Sequence, residues 1–153
     1  MLTRLVPLTL VAFSLVACDR ASSRRDADAS ESSVAATPAA PRVQNIELGK
    51  DADDESLRVT SEATTFAPDD TMFLAVVVQN PDADSRLTAR WTYQDGSVVD
   101  SSGQGVDRAM GSSTSVTQFK VHNDEGWPLG RYSVDVWMNG TLVGSRAFTV
   151  ARQ

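Results

Sequence analysis

The sequence predicts an all-β domain of about seven antiparallel strands, folded as two sheets packed face to face over residues 43–153. Three observations carry this. No window in that region sustains a helical period, whereas apolar and polar residues alternate with period two every ten to fifteen residues. Turn-forming residues separate the alternating runs at each junction, with Asn139-Gly140 the clearest hairpin signal because both residues tolerate positive φ. All three Trp, both Tyr and four of the five Phe lie in this span, enough large apolar side chains for one core in about 110 residues.

In chain order, Val43–Leu48 and Leu57–Phe66 supply one or two edge strands around an acidic turn at Gly49–Glu55. Thr71–Val78 is almost continuously apolar, as in a central strand between two packed layers. Arg86–Tyr93 alternates cleanly, with Leu87, Ala89, Trp91 and Tyr93 on one face and Arg86, Thr88, Arg90 and Thr92 on the other. Gln94-Asp95-Gly96 turns the chain into a short strand at Ser97–Asp100, and the polar, Gly-rich stretch from Ser101 to Gly111 reads as loop. Ser113–Val121 is a strand whose apolar phase changes between Val116 and Phe119, which predicts a bulge. Tyr132, Val134, Val136 and Met138 alternate with Ser133, Asp135 and Trp137. The last strand, Thr141–Val150, brings Phe148 and Val150 to the same core.

Ahead of the domain stands a segment of different character. Arg4 precedes a thirteen-residue apolar run, Leu5–Ala17, too short for a membrane-spanning helix, which needs about twenty residues. This is the layout of a secretory signal peptide, residues 1–17. Residues 18–42 contain no Leu, Ile, Phe, Trp or Tyr, so they cannot bury enough surface to offset their ordering entropy and read as a disordered tether.

The 153-residue chain has 20 acidic against 14 Lys and Arg side chains, a formal net charge of -6. Residues 43–153 alone hold 16 acids and 9 bases, so the acidity belongs to the domain. Without clustered cations a nucleic-acid partner is excluded. The single cysteine, Cys18, forms no internal disulfide. No Gly-x-Ser-x-Gly elbow, phosphate loop or zinc spacing is present, and the only histidine, His122, has no nucleophile motif beside it, so no catalytic residue, metal or cofactor is expected.

Two patterns resemble known families. Leu15-Val16-Ala17-Cys18 resembles the lipobox of bacterial lipoproteins. That resemblance implies cleavage before Cys18, covalent lipid on its sulfur and a membrane anchor facing the periplasm. Asp19 then points to the inner rather than the outer membrane. Two or three acyl chains on one residue hold durably where a single chain binds reversibly. Trp91 on the third main strand, and Tyr132 two residues before Val134 after Trp127-Pro128-Leu129-Gly130-Arg131, resemble the immunoglobulin-like or fibronectin type III-like sandwich. In that resemblance Trp91 is the buried tryptophan and Tyr132 the tyrosine corner, and aliphatic packing takes the place of a disulfide.

The candidate partner-binding residues are Trp137, Arg90 and Asp135. If Tyr132, Val134 and Val136 face the core, Trp137 faces outward on the Arg90 side of the sheet, where Arg90 can lie over its indole or pair with Asp135. An outward Trp among charges is a typical interaction hot spot, and the expected partner is another envelope protein. A glycan is the alternative ligand, through Trp stacking. Calcium is the other, with Asp51, Asp53, Asp82 and Asp84 as weak ligand candidates that equally serve as turn formers.

Overall fold

The computed structural model describes residues 39–108 and 111–153; the signal peptide, Cys18 and most of the tether lie outside the described residues. The described chain is all-β, with two sheets. One has four strands: β1 (Arg42–Ala52), β2 (Val59–Glu62), β4 (Met72–Gln79) and β7 (Thr114–Val121), in the order β2-β1-β4-β7. The other has five: β3 (Thr65–Phe66), β5 (Arg86–Tyr93), β6 (Val98–Gly105), β8 (Gly130–Met138) and β9 (Thr141–Val150), in the order β3-β9-β8-β5-β6. All neighbours are antiparallel except β3 and β9. This is an immunoglobulin-like sandwich.

Period-two alternation places the core where the sequence predicts it. Leu87, Ala89 and Trp91 from β5 and Val134 and Val136 from β8 are fully buried against Leu74, Val76 and Val78 from β4. Each Leu and Val among them contributes about 1.5–3 kcal/mol by leaving water. Aromatic rings fill one end. Phe148 stacks on Tyr132 at 5.2 Å and meets Trp91 and Phe66 edge-on at 5.7 and 5.4 Å, while Trp127 stands edge-on to Tyr132 at 6.0 Å. The Tyr132 hydroxyl donates to the carbonyl of Pro128 at 2.8 Å, the tyrosine corner. Trp127 plugs the same end, its indole N–H donating to the Asp70 carbonyl at 3.1 Å. Gly130 lies so close beneath Tyr93, at φ 150, that a Cβ would sit 2.8 Å from the ring.

Five expectations are corrected. There are nine strands rather than about seven, because the 57–66 segment divides: β2 pairs with β1, and the chain then crosses to the other sheet as β3. Strand β1 runs to Ala52 through the expected turn, since β2 pairs with Gly49–Ala52 across two register shifts; the turn is Asp53–Arg58. Strand β6 extends to Gly105 through the Ser/Gly stretch read as loop. An edge strand is held by the ladder to β5 and needs no apolar side chains.

The bulge expected between Val116 and Phe119 is absent, for β7 pairs with β4 without a register shift. The core face of β7 is Ser115, Thr117, Phe119 and Val121, and the Ser115 hydroxyl is satisfied by the Asp107 carbonyl. Finally, the outer face of β4 is closed by its own sheet. Ala75 and Val77 are buried there, and a turn spans the Ala75 rung: Arg58 ion-pairs with Glu47, and the Leu57 carbonyl accepts from Gln118 at 3.4 Å.

Candidate functional site

Cross-strand register assembles the outward face of the five-stranded sheet. Residues directly opposite share a face, so Thr88 neighbours Trp137 and Arg90 neighbours Asp135 across β5–β8. Across β8–β9, Trp137 faces Leu142 and Asp135 faces Ser145. Across β5–β6, Arg86, Thr88 and Arg90 face Gly105, Gly103 and Ser101. The face therefore holds Arg86, Arg90 and Arg131 against one acid, Asp135, with Trp137 and Leu142 among small Ser, Thr and Gly side chains. It is a cationic island on a domain of net charge -7.

The hairpin after β8 is the two-residue turn that the sequence predicts, with Asn139 at φ 50 and Gly140 at φ 81. A register shift between Val136 and Trp137 leaves Val143 without a rung partner and sets Trp137 beside Leu142, which is 50% exposed. Trp137 faces outward as expected but is half-buried, and its indole Nε1 is enclosed without a hydrogen-bond partner among the described residues.

The two contacts expected of Arg90 are not formed. Arg90 and Asp135 occupy the same rung, yet the Lys and Arg ion pairs among the described residues are Lys50–Asp70 and Arg58–Glu47. The cations over rings are Lys50 on Phe66 and Lys120 on Phe73. Arg90 is exposed and extends into solvent, which leaves its five donors open to a partner.

The acidic candidates serve their own turns. Asp53 accepts the Ser56 amide at 2.7 Å, and the backbone and side-chain hydrogen bonds from Ser56 lower its pKa. Asp82 accepts the Ser85 hydroxyl at 2.7 Å, and that hydroxyl in turn accepts the Asp82 amide at 3.0 Å. Asp51 and Asp84 are exposed, and no group of three metal-ligating side chains occurs among the described residues. His122 is half-exposed, 3.2 Å from the Thr71 hydroxyl and 3.6 Å from Asp124.

Two carboxylates escape sequence reasoning. Glu47 is 5% exposed and ligated by Arg58, by the Val59 amide at 3.3 Å and by Asn45 at 3.0 Å. Its signal is its neighbour on the next strand: it stands opposite Ala75, in a run apolar on both faces. Asp100 stands opposite the core residue Trp91, with one carboxylate oxygen buried and unpartnered among the described residues. Nothing in a Ser/Gly stretch marks that.

No family model matches this chain, and no curated protein does. Among solved structures, it is similar to an immunoglobulin-like protein from Pseudomonas aeruginosa, with a TM-score of 0.51 and 17% identity, over 74% of this chain and 98% of that one. It also matches the C-terminal domain of wzt, at a TM-score of 0.49 and 10% identity, over 74% of each chain. A third match is an alkylpurine DNA glycosylase from Pseudomonas fluorescens, at 0.46 and 12% identity, over 74% of this chain and 30% of that one. At 17% identity the likeness to the immunoglobulin-like protein is one of fold alone.

Proposed function

We propose that the chain is a bacterial lipoprotein, anchored through lipid on Cys18 to the periplasmic side of the membrane, whose immunoglobulin-like domain is a non-catalytic module that binds another envelope protein. The lipobox-like Leu15–Cys18 supports the anchor, and Asp19 favours the inner membrane. The domain's net charge of -7 repels anionic lipid, so the anchor and tether hold the protein at the surface while the domain stays free to engage partners. Among the described residues no helix is long and apolar enough to cross a membrane.

The observation that carries the binding reading is the outward face of the five-stranded sheet: half-buried Trp137 beside exposed Leu142, with Arg90, unpaired among the described residues, two rungs away. Aromatic and Arg side chains dominate the energetics of protein interfaces, and an Arg without an internal partner loses no ion pair on docking.

The test uses the full chain in its own envelope, with Trp137→Ala and Arg90→Ala. Each variant is expected to lose a partner captured by crosslinking the wild type while melting within a few degrees of it. Equal recovery from both variants sinks this surface. Cys18→Ser is expected to accumulate as an unprocessed precursor without lipid label; normal processing would refute the anchor.

A further inference from the structure

The five-stranded sheet ends in β6, and three features set this edge apart. First, its backbone is open. The Val106 amide donates to Ser85 O at 2.9 Å, and these residues continue the β5–β6 register as a directly opposed pair. Alternation along an antiparallel ladder then turns the backbone groups of Gln104, Ser102 and Asp100 toward β5, and those of Ser101, Gly103 and Gly105 away from the sheet. Second, the stretch Ser101–Gly105 carries no Pro, Lys or other charged side chain; the guards of β6, the inward Asp100 and the bulge at Val99, lie at its start, where Val98 and Val99 are 53% and 40% exposed.

The other edges differ. Strand β3 is two residues long and β2 four, while β7 presents Lys120 and has its Gln118 carbonyl taken by Gln104 at 2.6 Å.

Third, cations reach over this edge. Opposite Arg86 and Arg90, β6 offers only Gly105 and Ser101, with Gly103 between them, so no bulky side chain separates the two guanidinium groups from whatever lies beyond β6. Arg86 already extends across, its Nη2 3.4 Å from the outward carbonyl of Gly103, a bond at the long limit of hydrogen-bond geometry and easily exchanged. A strand added beside β6 lies about 10 Å from β5. Acidic side chains on its outward face reach back to Arg86 and Arg90; basic ones are repelled.

We infer that β6 is the docking edge for an extended acidic segment of a partner protein, which joins the sheet as a sixth strand through Ser101, Gly103 and Gly105 and sets its carboxylates against Arg86 and Arg90. This rests on the reading of the five-stranded sheet as the binding face, and it names both the partner's chemistry and its mode of attachment.

The purified full chain is titrated with two synthetic hexapeptides, alternating Val-Glu and alternating Val-Lys, and backbone amide exchange is followed. The Glu peptide is expected to bind about tenfold more tightly, with the contrast shrinking as salt rises. It should slow exchange of the Ser101 and Gly103 amides. Ser101→Pro removes only an outward N–H and is expected to abolish binding. Arg86→Glu with Arg90→Glu, both exposed, should reverse the peptide preference and serves if the proline variant does not fold. Equal binding of the two peptides, or binding without protection at Ser101 and Gly103, overturns the inference. So does a concentration-dependent dimer that Ser101→Pro removes, because the edge would then serve a second copy. If Ser101→Pro keeps the envelope partner that Trp137→Ala loses, this inference falls and the broader binding reading stands; if neither variant loses it, both fall.

Discussion

Tyr132→Phe deletes one oxygen atom and isolates the tyrosine corner. The ring is 3% exposed and keeps its stack on Phe148 at 5.2 Å and its edge contact with Trp127 at 6.0 Å, so packing is conserved. What goes is the 2.8 Å bond to Pro128, leaving that carbonyl without the donor. A neutral hydrogen bond contributes about 0.5–1.5 kcal/mol, and a stranded acceptor adds to the loss, so about 1–2 kcal/mol is expected. For a domain of this size each kcal/mol moves Tm by about 4–6 °C, which predicts a fall of about 5–10 °C in a thermal melt of the full chain followed by near-ultraviolet circular dichroism. Tyr93→Phe is the control. Its hydroxyl also bonds a carbonyl, that of Leu129 at 3.0 Å, but at a half-exposed position where water replaces it, and the expected fall is under about 3 °C. Burial, with Tyr93 and Asp95 nearby, raises the Tyr132 pKa above the ordinary phenol value. A raised folded-state pKa means that its stabilisation is complete below the unfolded value near 10 and is lost as pH climbs through the folded one, so Tyr132→Phe should flatten the alkaline limb of the stability profile. Equal melting of the two variants, or an unchanged alkaline limb, would refute the corner as a stabilising bond.

Burial opposes ionisation of Asp70, but Lys50 at 2.8 Å and the Ala67 amide at 2.7 Å outweigh it and lower its pKa. A lowered folded-state pKa gives stability that is present above the ordinary carboxylate value and lost as pH falls through the folded one. Asp70→Asn should therefore melt about 2–5 °C lower at pH 7 and match the wild type near pH 2, as read by melts across that range. Arg58→Ala strands the buried Glu47 carboxylate; because Arg58 is itself 44% exposed, a loss of about 1–3 kcal/mol by denaturant titration is expected, below the cost for a fully buried pair. Glu47→Gln in the Arg58→Ala background should recover part of that loss, and no recovery would mean that the charge is not what suffers.

The residues that declared themselves in the sequence are those whose neighbours leave no choice. Trp91, Val134 and Phe148 alternate with polar residues, and a one-step slip would expose the whole row, so strand faces followed from period alone. Asn139-Gly140 and Tyr132 announced local geometry in local sequence. The misread elements depend on distant partners. Ser101–Gly105 carries no strand signal and is ordered by β5. Ser115 and Thr117 point inward against the apolar phase because their strand is held in unbroken register on β4, and Ser115 finds a carbonyl in the preceding loop. Of the candidate site, the outward setting of Arg90, Asp135 and Trp137 was legible from alternation. That Arg90 stands unpaired, and that Glu47 is buried, depends on side-chain packing across several strands, which no single stretch encodes.

The two outer faces of the sandwich differ in a way that bears on where the proposed partner would fit. On the four-stranded sheet the apolar run of β4 puts Ala75 on the outer face, and the protein answers with its own chain: the Asp53–Arg58 turn spans the Ala75 rung, Leu57 adopts a φ of 58, and Glu47 ties Arg58 down. A non-Gly residue in that conformation costs energy, about 1–3 kcal/mol, and persists because the turn covers apolar surface. On the five-stranded sheet no segment among the described residues plays this part. Trp137 and Leu142 are left half-buried and exposed, three arginines gather around a single acid, and the bounding strand β6 keeps its backbone groups open. One face is sealed at the expense of backbone strain, whereas the other is left open with the side chains that favour association. To the proposed partner this face offers cations, an indole and a free edge together.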